Sequence, residues 1–341
     1  MQILSPEEFI KSGQIVPIID VRSPSEFADG HIPGAINIPI FNDEERAKVG
    51  TIYKTKGRLP AIEKGLEIIG PNMADLARIA SKIAKTNQLL VHCWRGGMRS
   101  ESMAWLFERM DIKCSILQGG YKSYRNYLLD VTGNIPHLIV IEGYTGSGKT
   151  EIIHALHNLG EQVIDLEGLA NHKGSVFGGI GQEAQPSTQQ FQNELLHVML
   201  DFDLTKRVWI EGESQTVGRV FLPDPLWNSM NTTHNIEIFI PREERIKRLV
   251  NEYGALPEEL MENAIISIAK RLGDLRMREI LSFYREKKLD VVAEKLLEYY
   301  DQTYQYSRNK YKKKLTEVAF QQDNAAANAE TILSRAVQLF Q

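Results

Sequence analysis

The amino-acid sequence predicts an α/β protein made of two domains, each built on a parallel β-sheet. In the first part of the chain, apolar runs such as residues 16–22 alternate with segments of helical apolar spacing such as residues 73–83. In the second part, an apolar run at residues 137–142 leads through a glycine-rich loop into an amphipathic helix. The length of 341 residues, with 43% hydrophobic and 25% charged residues, suits two globular domains at 1–130 and 131–341.

Composition excludes several classes of protein. The net charge of -4 argues against a chain that coats nucleic acid with its whole surface, so a polyanion would have to meet a local basic patch. The N-terminus lacks the basic and apolar regions of a signal peptide, and no apolar run reaches membrane-spanning length. We therefore expect a cytoplasmic protein with no membrane partner. The two cysteines, Cys93 and Cys114, predict neither a disulfide nor a zinc site.

Local signals place individual elements in the first domain. Residues 16–22 predict a short buried strand, and Ser23 caps a helix that has Pro24 at its first position. Residues 73–83 predict an amphipathic helix. We expect the linker between the domains near residues 122–136.

One cysteine stands in a glycine-bearing turn directly after an apolar run. Cys93 is expected at the carboxyl end of a parallel strand, where open α/β sheets place their ligands. Amides of such a loop can surround an anion, and Arg95 and Arg99 favour a thiolate over a thiol. A core cysteine needs neither feature, so Cys93 is interpreted as a nucleophile, whereas Cys114 is a core residue or a resolving thiol. The anion loop comprises Trp94, Arg95, Gly96, Gly97, Met98 and Arg99.

Three further patterns accompany this loop: Asp20-x-Arg22-Ser23-Pro24-x-Glu26-Phe27, Gly30-His31-Ile32-Pro33-Gly34-Ala35-x-Asn37-x-Pro39, and Leu117-Gln118-Gly119-Gly120-Tyr121. Together they resemble the rhodanese superfamily over roughly the first 130 residues. The resemblance implies a rhodanese-like fold in which Cys93 carries sulfur or selenium. The segment from Cys93 to Arg99 is one residue longer than in sulfur-transferring rhodaneses, as in phosphatase-like relatives. A phosphatase thus stays open, as does a donor that is a phosphate carrying sulfur or selenium.

A complete phosphate-binding motif opens the second domain. It lies between the strand predicted at residues 137–142 and a helix at residues 151–156, which is the context of a Walker A loop. Its glycines let backbone amides approach phosphate oxygens at a helix amino terminus. Lys149 is the candidate for neutralising the terminal phosphate, and Thr150 is the candidate magnesium ligand. The motif comprises Gly143, Tyr144, Thr145, Gly146, Ser147, Gly148, Lys149 and Thr150.

Other charged residues have two interpretations each. Glu211 ends an apolar strand at residues 208–211 and either supports a metal or only solubilises the strand end. A second glycine-rich stretch at residues 171–181 either closes over phosphates or is a plain connection. The arginines of the helix predicted after residue 241 either reach phosphoryl groups, as in P-loop kinases, or face solvent. The candidate contacts of the second loop and its acidic neighbours are Asp165, Glu167, His172, Lys173 and Glu211.

Two basic regions are candidates for polyanion contact, because basic residues interleaved with tyrosines suit phosphates and stacked bases. Such charge runs are also typical of solvated helix faces. The first region surrounds Tyr53 and contains Lys48, Lys54, Lys56, Arg58 and Lys64. The second is C-terminal and contains Lys270, Arg271, Arg276, Arg278, Arg285, Lys287, Lys288, Arg308, Lys310, Lys312, Lys313 and Lys314.

The combination of the cysteine loop, the Walker A motif, Asp165-Leu166-Glu167, His172-Lys173-Gly174-Ser175 and Glu211-x-Glu213-Ser214 resembles the tRNA 2-selenouridine synthase family along the whole chain. The resemblance implies a transferase that replaces sulfur by selenium at C2 of a wobble 2-thiouridine in tRNA. It implies geranyl diphosphate and selenophosphate as substrates, an S-geranyl intermediate, and no tightly bound cofactor other than magnesium. A P-loop ATPase or kinase with an appended rhodanese-like phosphate-binding or sulfurtransferase domain is the alternative. The expected fold is a rhodanese-like domain followed by a P-loop NTPase-like domain with a helical, basic C-terminal extension.

Overall fold

The computed structural model describes residues 1–311 and 313–339, so that Lys312 of the second basic region lies outside the described residues. The chain separates into two compact units, Met1–Val131 and a second unit from Thr132 onward. Each unit contains a five-stranded sheet whose paired strands are all parallel. The α/β fold class is therefore confirmed. Among the described residues, no helix has both the length and the apolar character needed to cross a membrane.

The sheet of the first unit has the strand order β1-β5-β4-β2-β3. The predicted strand at residues 16–22 is shorter than expected, and the predicted helix at residues 73–83 is present over that range. The elements are β1 (Gln2–Leu4), α1 (Pro6–Gly13), β2 (Ile18–Asp20), α2 (Pro24–Asp29), β3 (Ile36–Asn37), α3 (Asp43–Lys56), α4 (Arg58–Ile69), α5 (Met73–Ile83), β4 (Gln88–His92), α6 (Met98–Glu108), β5 (Lys113–Leu117) and α7 (Gly120–Gly133).

The segment that the sequence suggested as a linker is helical over most of its length. Helix α7 occupies residues 120–133, and Tyr121, Tyr124 and Leu128 are buried. These three apolar residues are spaced by three and four positions, which is the pattern of a helix face that packs on a core. The boundary between the two units, between Val131 and Thr132, lies within the expected segment, but most of the segment is a packed helix rather than an open linker.

A buried ion pair between Asp20 and Arg22 connects several elements of the first unit. Arg22 is 1% exposed and Asp20 is fully buried. Nη2 of Arg22 donates to Oδ2 of Asp20 at 2.6 Å and to the carbonyl of Gly30 at 2.7 Å. The guanidinium lies over the ring of Tyr121, with its carbon 3.9 Å from the ring centroid. The pair therefore connects β2 with α7 and with the segment that leads into β3.

The sheet of the second unit has the order β12-β11-β6-β8-β7, with β6 in the centre. Two short strands, β9 and β10, form an antiparallel hairpin. The elements are β6 (Leu138–Gly143), α8 (Lys149–Asn158), β7 (Gln162–Ile164), α9 (Leu166–Ala170), α10 (Thr188–Met199), β8 (Val208–Glu211), β9 (Thr216–Val217), β10 (Val220–Phe221), α11 (Asp224–Thr232), β11 (His234–Phe239), α12 (Arg242–Gly254), α13 (Glu258–Ser267), α14 (Ala269–Leu272), α15 (Asp274–Arg285), α16 (Leu289–Tyr311), β12 (Lys314–Ala319) and α17 (Ala325–Leu339).

Two hydrophobic clusters stabilise the second unit. One lies between the sheet and helices α8 and α17, and it includes Ile153, Trp209 and Ile332, all fully buried. The other is formed mainly by helices α12 to α16, and it includes Ile265 and Leu296. The expected helical extension is thus present with a core of its own, but the chain afterwards returns to the sheet as the edge strand β12.

Removal of Asp20 should strongly destabilise the first unit. Asp20→Ala leaves the buried Arg22 charge without its partner, which typically costs about 3–5 kcal/mol of unfolding free energy. Asp75→Ala is the matched control, because its ion pair with Arg78 is about two thirds exposed and such pairs contribute about 0–1 kcal/mol. Urea unfolding monitored by circular dichroism measures both. Equal, small losses for the two variants would show that the buried pair is not structurally important.

Candidate functional site

Cys93 lies directly after β4, at the carboxyl edge of the first sheet. Its side chain is 3% exposed, and its Sγ lies 3.3 Å from the hydroxyl of Ser100 and 3.8 Å from the carbonyl oxygen of Gly97. Helix α6 begins at Met98, so the sulfur is close to a helix amino terminus, where anions are favoured. The arrangement suits a sulfur that is negatively charged or carries a negatively charged atom.

The cysteine loop is fixed by close backbone packing against the segment before α7. Gly96 has a φ of +62°, and a Cβ there would lie 2.5 Å from the carbonyl oxygen of Leu117. A Cβ on Gly120 would lie 2.4 Å from the carbonyl oxygen of Cys93. The amide of Tyr121 donates to that same carbonyl at 2.9 Å. The two glycines are therefore required by close approach, and they hold the loop in one conformation.

The two arginines of the loop have different surroundings. Nη1 of Arg99 donates to Oε2 of Glu26 at 2.8 Å, and although burial opposes it, this contact keeps the pKa of Glu26 below its usual value. Arg95 is exposed and takes part in no ion pair among the described residues. Arg95 is thus the cation available to an incoming anion, while Arg99 already has a carboxylate partner.

The remaining candidates of the first unit are also placed. Trp94 packs against Tyr121 with ring centroids 5.7 Å apart, and Gly97 is the residue before α6. Met98 is 41% exposed at the helix start. Cys114 is buried in β5, and burial raises the pKa of its thiol to about 12. An inert core thiol is therefore the better interpretation of Cys114.

The Walker A loop connects β6 with α8, so it opens at the carboxyl end of the central strand. Nζ of Lys149 donates to the carbonyl of Gly143 at 3.3 Å. The hydroxyl of Ser147 is buried and has no hydrogen-bond partner in the described part of the chain. Gly148 has a φ of +74°, and a Cβ there would meet Nη2 of Arg248 at 2.7 Å. A buried hydroxyl without a partner and a lysine at the loop fit a phosphate ligand.

The other Walker A residues pack against the helical part of the second unit. Arg245 donates from Nη1 to the carbonyl of Thr145 at 3.1 Å and pairs with Asp301 at 2.7 Å. Its guanidinium carbon lies 5.1 Å from the ring centroid of Tyr144. Gly146 has a φ of +75°, and a Cβ there would lie 3.5 Å from the carbonyl oxygen of Arg245. Arg245, on α12, therefore stabilises the conformation of the Walker A loop through its backbone.

Two carboxyl groups meet the hydroxyl of Thr150 at the start of α8. Thr150 Oγ1 lies 2.8 Å from Oε2 of Glu167 and 3.0 Å from Oε2 of Glu211. The other oxygen of Glu211 accepts from the amide of Glu167 at 2.7 Å. One hydroxyl proton cannot serve two carboxylates at once, so the geometry favours a proton on one carboxyl group or a cation in place of that proton.

The charge balance at this cluster raises carboxyl pKa values. Burial, with the neighbouring Glu213, raises the pKa of Glu167 to about 7, against the opposing effect of Lys149. Burial and the charges of Glu167 and Glu213 raise the pKa of Glu211 well above its usual value. Neutral Glu211 and Glu167 are therefore favoured until a positive charge enters.

This donor set fits magnesium. Mg²⁺ prefers one or two carboxylates together with oxygens of a bound phosphate, and a Walker A threonine is one of its usual ligands. Thr150, Glu211 and Glu167 would hold the ion. Within residues 1–311 and 313–339, no group of three or more His, Cys, Asp or Glu side chains forms a metal site by itself. Such a group is not needed where oxygens of a bound phosphate complete the coordination of the ion.

The other candidates take separate positions. Asp165 caps α9 by accepting from the amide of Gly168 at 2.7 Å, and it also contacts His154. Lys173 is exposed; burial raises the pKa of the half-buried Glu252, and the charge of Lys173 opposes this rise. Among the described residues, neither Asp165 nor Lys173 forms a hydrogen bond or ion pair with the Walker A loop.

The second glycine-rich stretch borders a polar cleft of about 540 Å³. His172 lines it, and burial, together with Arg219, lowers the pKa of its imidazole, which keeps the ring neutral at neutral pH. A Cβ on Gly174 would lie 2.8 Å from both Oε1 of Glu167 and Oε2 of Glu213. The stretch thus covers the carboxyl cluster instead of forming a plain connection.

Several contributing residues were not identified as site residues from the sequence. Glu26 belongs to the pattern that resembles the rhodanese superfamily, but its contact with Arg99, 73 positions away, was not predicted. Ser100 follows the cysteine loop directly, and its contact with Cys93 spans only seven positions. Glu213 belongs to a motif that was recognised, but its charge acts on Glu167 and Glu211, of which Glu167 is far away in the chain. Arg245 lies on the arginine-rich helix α12, and its partners Thr145 and Asp301 could not be inferred without the fold.

Fold and sites together define a class of protein: a rhodanese-type cysteine loop and a P-loop phosphate site, each on a parallel sheet of the same chain. Comparison with protein families gives a rhodanese-like domain at residues 6–127 and a tRNA 2-selenouridine synthase AAA domain at residues 136–335. The chain belongs to the tRNA 2-selenouridine synthase family.

Individual relatives differ in how much of their length is matched. The tRNA 2-selenouridine synthase of Shewanella frigidimarina is 34% identical, over 91% of this chain and 92% of the relative. That of Nitrosomonas europaea is 38% identical, over 70% of this chain and 63% of the relative, which is less than two thirds of its length. A solved rhodanese-related protein from Thermoplasma volcanium is 18% identical with a TM-score of 0.24, over 37% of this chain and 93% of that chain.

Replacement of Glu167 by Gln should stabilise the ligand-free protein at alkaline pH only. The pKa of the Glu167 carboxyl group rises from 4.5 to about 7 on folding, so the folded protein holds this proton more tightly than the unfolded chain does. The stability that the protonated group contributes is complete below about pH 4.5 and is lost as the pH rises through about 7. In EDTA, Glu167→Gln should gain up to about 3 kcal/mol over the unsubstituted protein at about pH 8 and little at about pH 5. Urea unfolding at both pH values measures this difference.

Glu330→Gln is the control for this prediction, because Glu330 is exposed on α17 and forms no ion pair in the described part of the chain. Its stability should match that of the unsubstituted protein at both pH values. A gain for Glu167→Gln that is the same at both pH values would contradict a titrating carboxyl group at position 167.

Proposed function

We propose that this protein is a tRNA-modifying transferase that replaces sulfur by selenium at C2 of the wobble 2-thiouridine. The observation that carries the proposal is one chain with two anion sites, the Cys93 loop and the Walker A loop, in a family whose members are named tRNA 2-selenouridine synthase. The finer proposal has two steps: S-geranylation with geranyl diphosphate, and then selenation with selenophosphate.

The first step is assigned to the Walker A loop. The thione sulfur attacks C1 of geranyl diphosphate, the C–O bond to the diphosphate breaks, and diphosphate leaves with the electron pair. Lys149 would stabilise that developing negative charge, as would the hydroxyl of Ser147, which has no hydrogen-bond partner among the described residues. Magnesium held by Thr150, Glu211 and Glu167 would supply further charge neutralisation. A loop that binds a diphosphate in this way need not hydrolyse a nucleotide.

The second step is assigned to the cysteine loop. Selenium attacks C2, the C–S bond breaks, geranylthiol leaves, and water removes the phosphoryl group from selenium. This sequence is redox-neutral, whereas a free selenosulfide on Cys93 would need two electrons to return its selenium to the selenide level. The balance therefore favours a Cys93 side chain that positions selenophosphate without forming a bond to selenium, together with Arg95 and the hydroxyl of Ser100, which lies 3.3 Å from Sγ.

The alternative function is a P-loop ATPase or kinase with an appended phosphate-binding domain. The complete Walker A motif and Glu211 at the end of the neighbouring strand β8 support it, because the same groups bind nucleotide phosphates. Nucleoside mass spectrometry of thiolated tRNA incubated with the protein, geranyl diphosphate and selenophosphate distinguishes the two functions when each substrate is omitted in turn. ATP hydrolysis that does not respond to tRNA, without any modified nucleoside, would favour the alternative.

Cys93→Ala should separate the two steps. Without its thiol, the first unit no longer positions selenium, whereas the Walker A loop is unchanged, so S-geranyl-thiouridine should accumulate and 2-selenouridine should not form. The nucleoside analysis described above measures both products. Cys114→Ala is the control and should retain both activities, because Cys114 is a buried thiol in β5. Full selenation by Cys93→Ala would exclude the proposed role of the cysteine.

Lys149→Ala should slow the first step strongly. Loss of one group that stabilises a leaving charge typically lowers the rate about 10²–10³-fold. Geranylation under single-turnover conditions should fall by this factor, while tRNA that has been geranylated in advance should still be converted to selenouridine. Lys206→Ala, a substitution at an exposed surface lysine, should change neither rate. Unchanged prenyl transfer in Lys149→Ala would remove the Walker A loop from the reaction.

A further inference from the structure

A basic turn adjoins the cysteine loop in the first unit. It comprises residues 53–59, which we call the α3–α4 turn, and its sequence is Tyr53-Lys54-Thr55-Lys56-Gly57-Arg58-Leu59. All seven residues are exposed. Gly57 has a φ of +86° and ends α3 so that α4 begins at the next residue. The turn therefore presents three cations, one aromatic ring and one aliphatic side chain to solvent within a short stretch of backbone.

The cations of the α3–α4 turn are not neutralised by the protein. Lys54, Lys56 and Arg58 take part in no ion pair among the residues that the structure describes, and no acidic residue occurs between Glu45 and Glu63. Three cations without counter-ions in seven residues create a local positive potential on a chain whose net charge is negative.

The C-terminal basic region is partly neutralised. Five of its cations have carboxylate partners: Arg285 pairs with Glu262, Lys287 with Glu258, Lys288 with Glu286, Arg308 with Glu237 and Glu317, and Lys313 with Glu142. Others are exposed and take part in no ion pair among the described residues, such as Arg276 and Arg278, so the presence of unpaired cations does not separate the two regions. The first region is distinguished by its position, because Arg58 contacts Met98 at the end of the cysteine loop.

The α3–α4 turn contacts the end of the cysteine loop through one residue, Arg58. Nη2 of Arg58 lies 3.8 Å from Sδ of Met98, the first residue of α6. The preceding residue is Gly97, and its carbonyl oxygen lies 3.8 Å from Sγ of Cys93. Tyr53, which precedes these cations in the chain, is 58% exposed, so its ring is accessible for stacking with a base.

We propose that the α3–α4 turn is an RNA-docking surface that holds the backbone of a single-stranded loop beside Cys93. Lys54, Lys56 and Arg58 bind phosphates, and Tyr53 stacks on a base next to the nucleotide that enters the cysteine loop. A single-stranded loop fits better than a duplex, because its bases are free to unstack and reach a buried sulfur. The proposal rests on the proposed function, from which it takes RNA as the substrate, and it adds the surface of contact.

The test measures RNA binding rather than product formation. Fluorescence anisotropy with a synthetic RNA anticodon stem-loop gives the Kd of the full-length protein as a function of salt concentration. The triple variant Lys54→Ala, Lys56→Ala, Arg58→Ala should raise the Kd about tenfold or more at low salt. The slope of log K against log salt should become shallower by about 2, since each lost phosphate contact on single-stranded RNA contributes about 0.7. Tyr53→Ala should raise the Kd without changing this slope.

A matched triple variant controls for net charge. Lys82, Lys85 and Lys113 are exposed and form no ion pair in the described part of the chain, and Lys85 and Lys113 lie before β4 and at the start of β5, at the opposite sheet edge from Cys93. Alanine at all three should leave the Kd within about twofold. Alkylation of Cys93 by iodoacetamide at the unsubstituted rate should show that the loop is intact in both triple variants.

Two results would overturn the proposal. One is a Kd and salt slope in the Lys54, Lys56 and Arg58 variant equal to those of the unsubstituted protein. The other is an equal loss in the control variant, which would make the effect one of overall charge. Failure of the proposed function is distinguishable, because there the unsubstituted protein would bind the RNA no better than an unrelated acidic protein and would produce no 2-selenouridine.

Discussion

The excess of buried carboxyl groups around Thr150 is the constraint on which the second unit depends. Glu167 and Glu211 both approach one hydroxyl, and Glu213 adds its charge to theirs. Lys149 alone cannot balance three carboxylates, so the ligand-free protein lowers the repulsion by keeping protons on the cluster. A cation that arrives with a phosphate ligand can replace those protons. The cluster therefore fits a charged complex of phosphate and cation.

The first unit solves the opposite problem, that of holding an anion near a buried sulfur. Glu26 fixes Arg99, and the Asp20–Arg22 pair supports the ring of Tyr121 against which Trp94 packs. These charges, buried at Asp20 and Arg22 and half-buried at Glu26 and Arg99, are all paired, so they shape the loop and their attraction for an anion is reduced. Positive charge that remains available is exposed, at Arg95 and in the α3–α4 turn. The paired charges therefore stabilise the structure of the first unit, and the unpaired cations are the ones that could bind an anion.

Much of the fold was predictable because the signals were local. The strand before Cys93, the helix at residues 73–83 and the Walker A loop each follow from apolar spacing and glycine placement within a short window. The convergence of Glu167 and Glu211 on Thr150 was not predictable, since it depends on β8 lying beside β6 in the sheet. The same is true of Arg99, whose partner Glu26 is 73 positions away. Charge counting likewise marked two basic regions, and only ion-pair geometry separates neutralised cations from available ones.

The chemistry of the proposed reaction explains why one chain carries both sites. Sulfur doubly bonded to C2 of a uracil ring is a poor leaving group, whereas the same sulfur carrying an alkyl chain leaves as a thiol. Activation by alkylation requires a site that stabilises departing diphosphate, and replacement requires a site that holds a selenium-bearing phosphate. Both demands concern phosphate charge, but only the second needs a thiol nearby. A Walker A loop and a cysteine loop lengthened by one residue meet these two demands, whereas an ATPase with an anion sensor would leave the thiol of Cys93 without a chemical purpose.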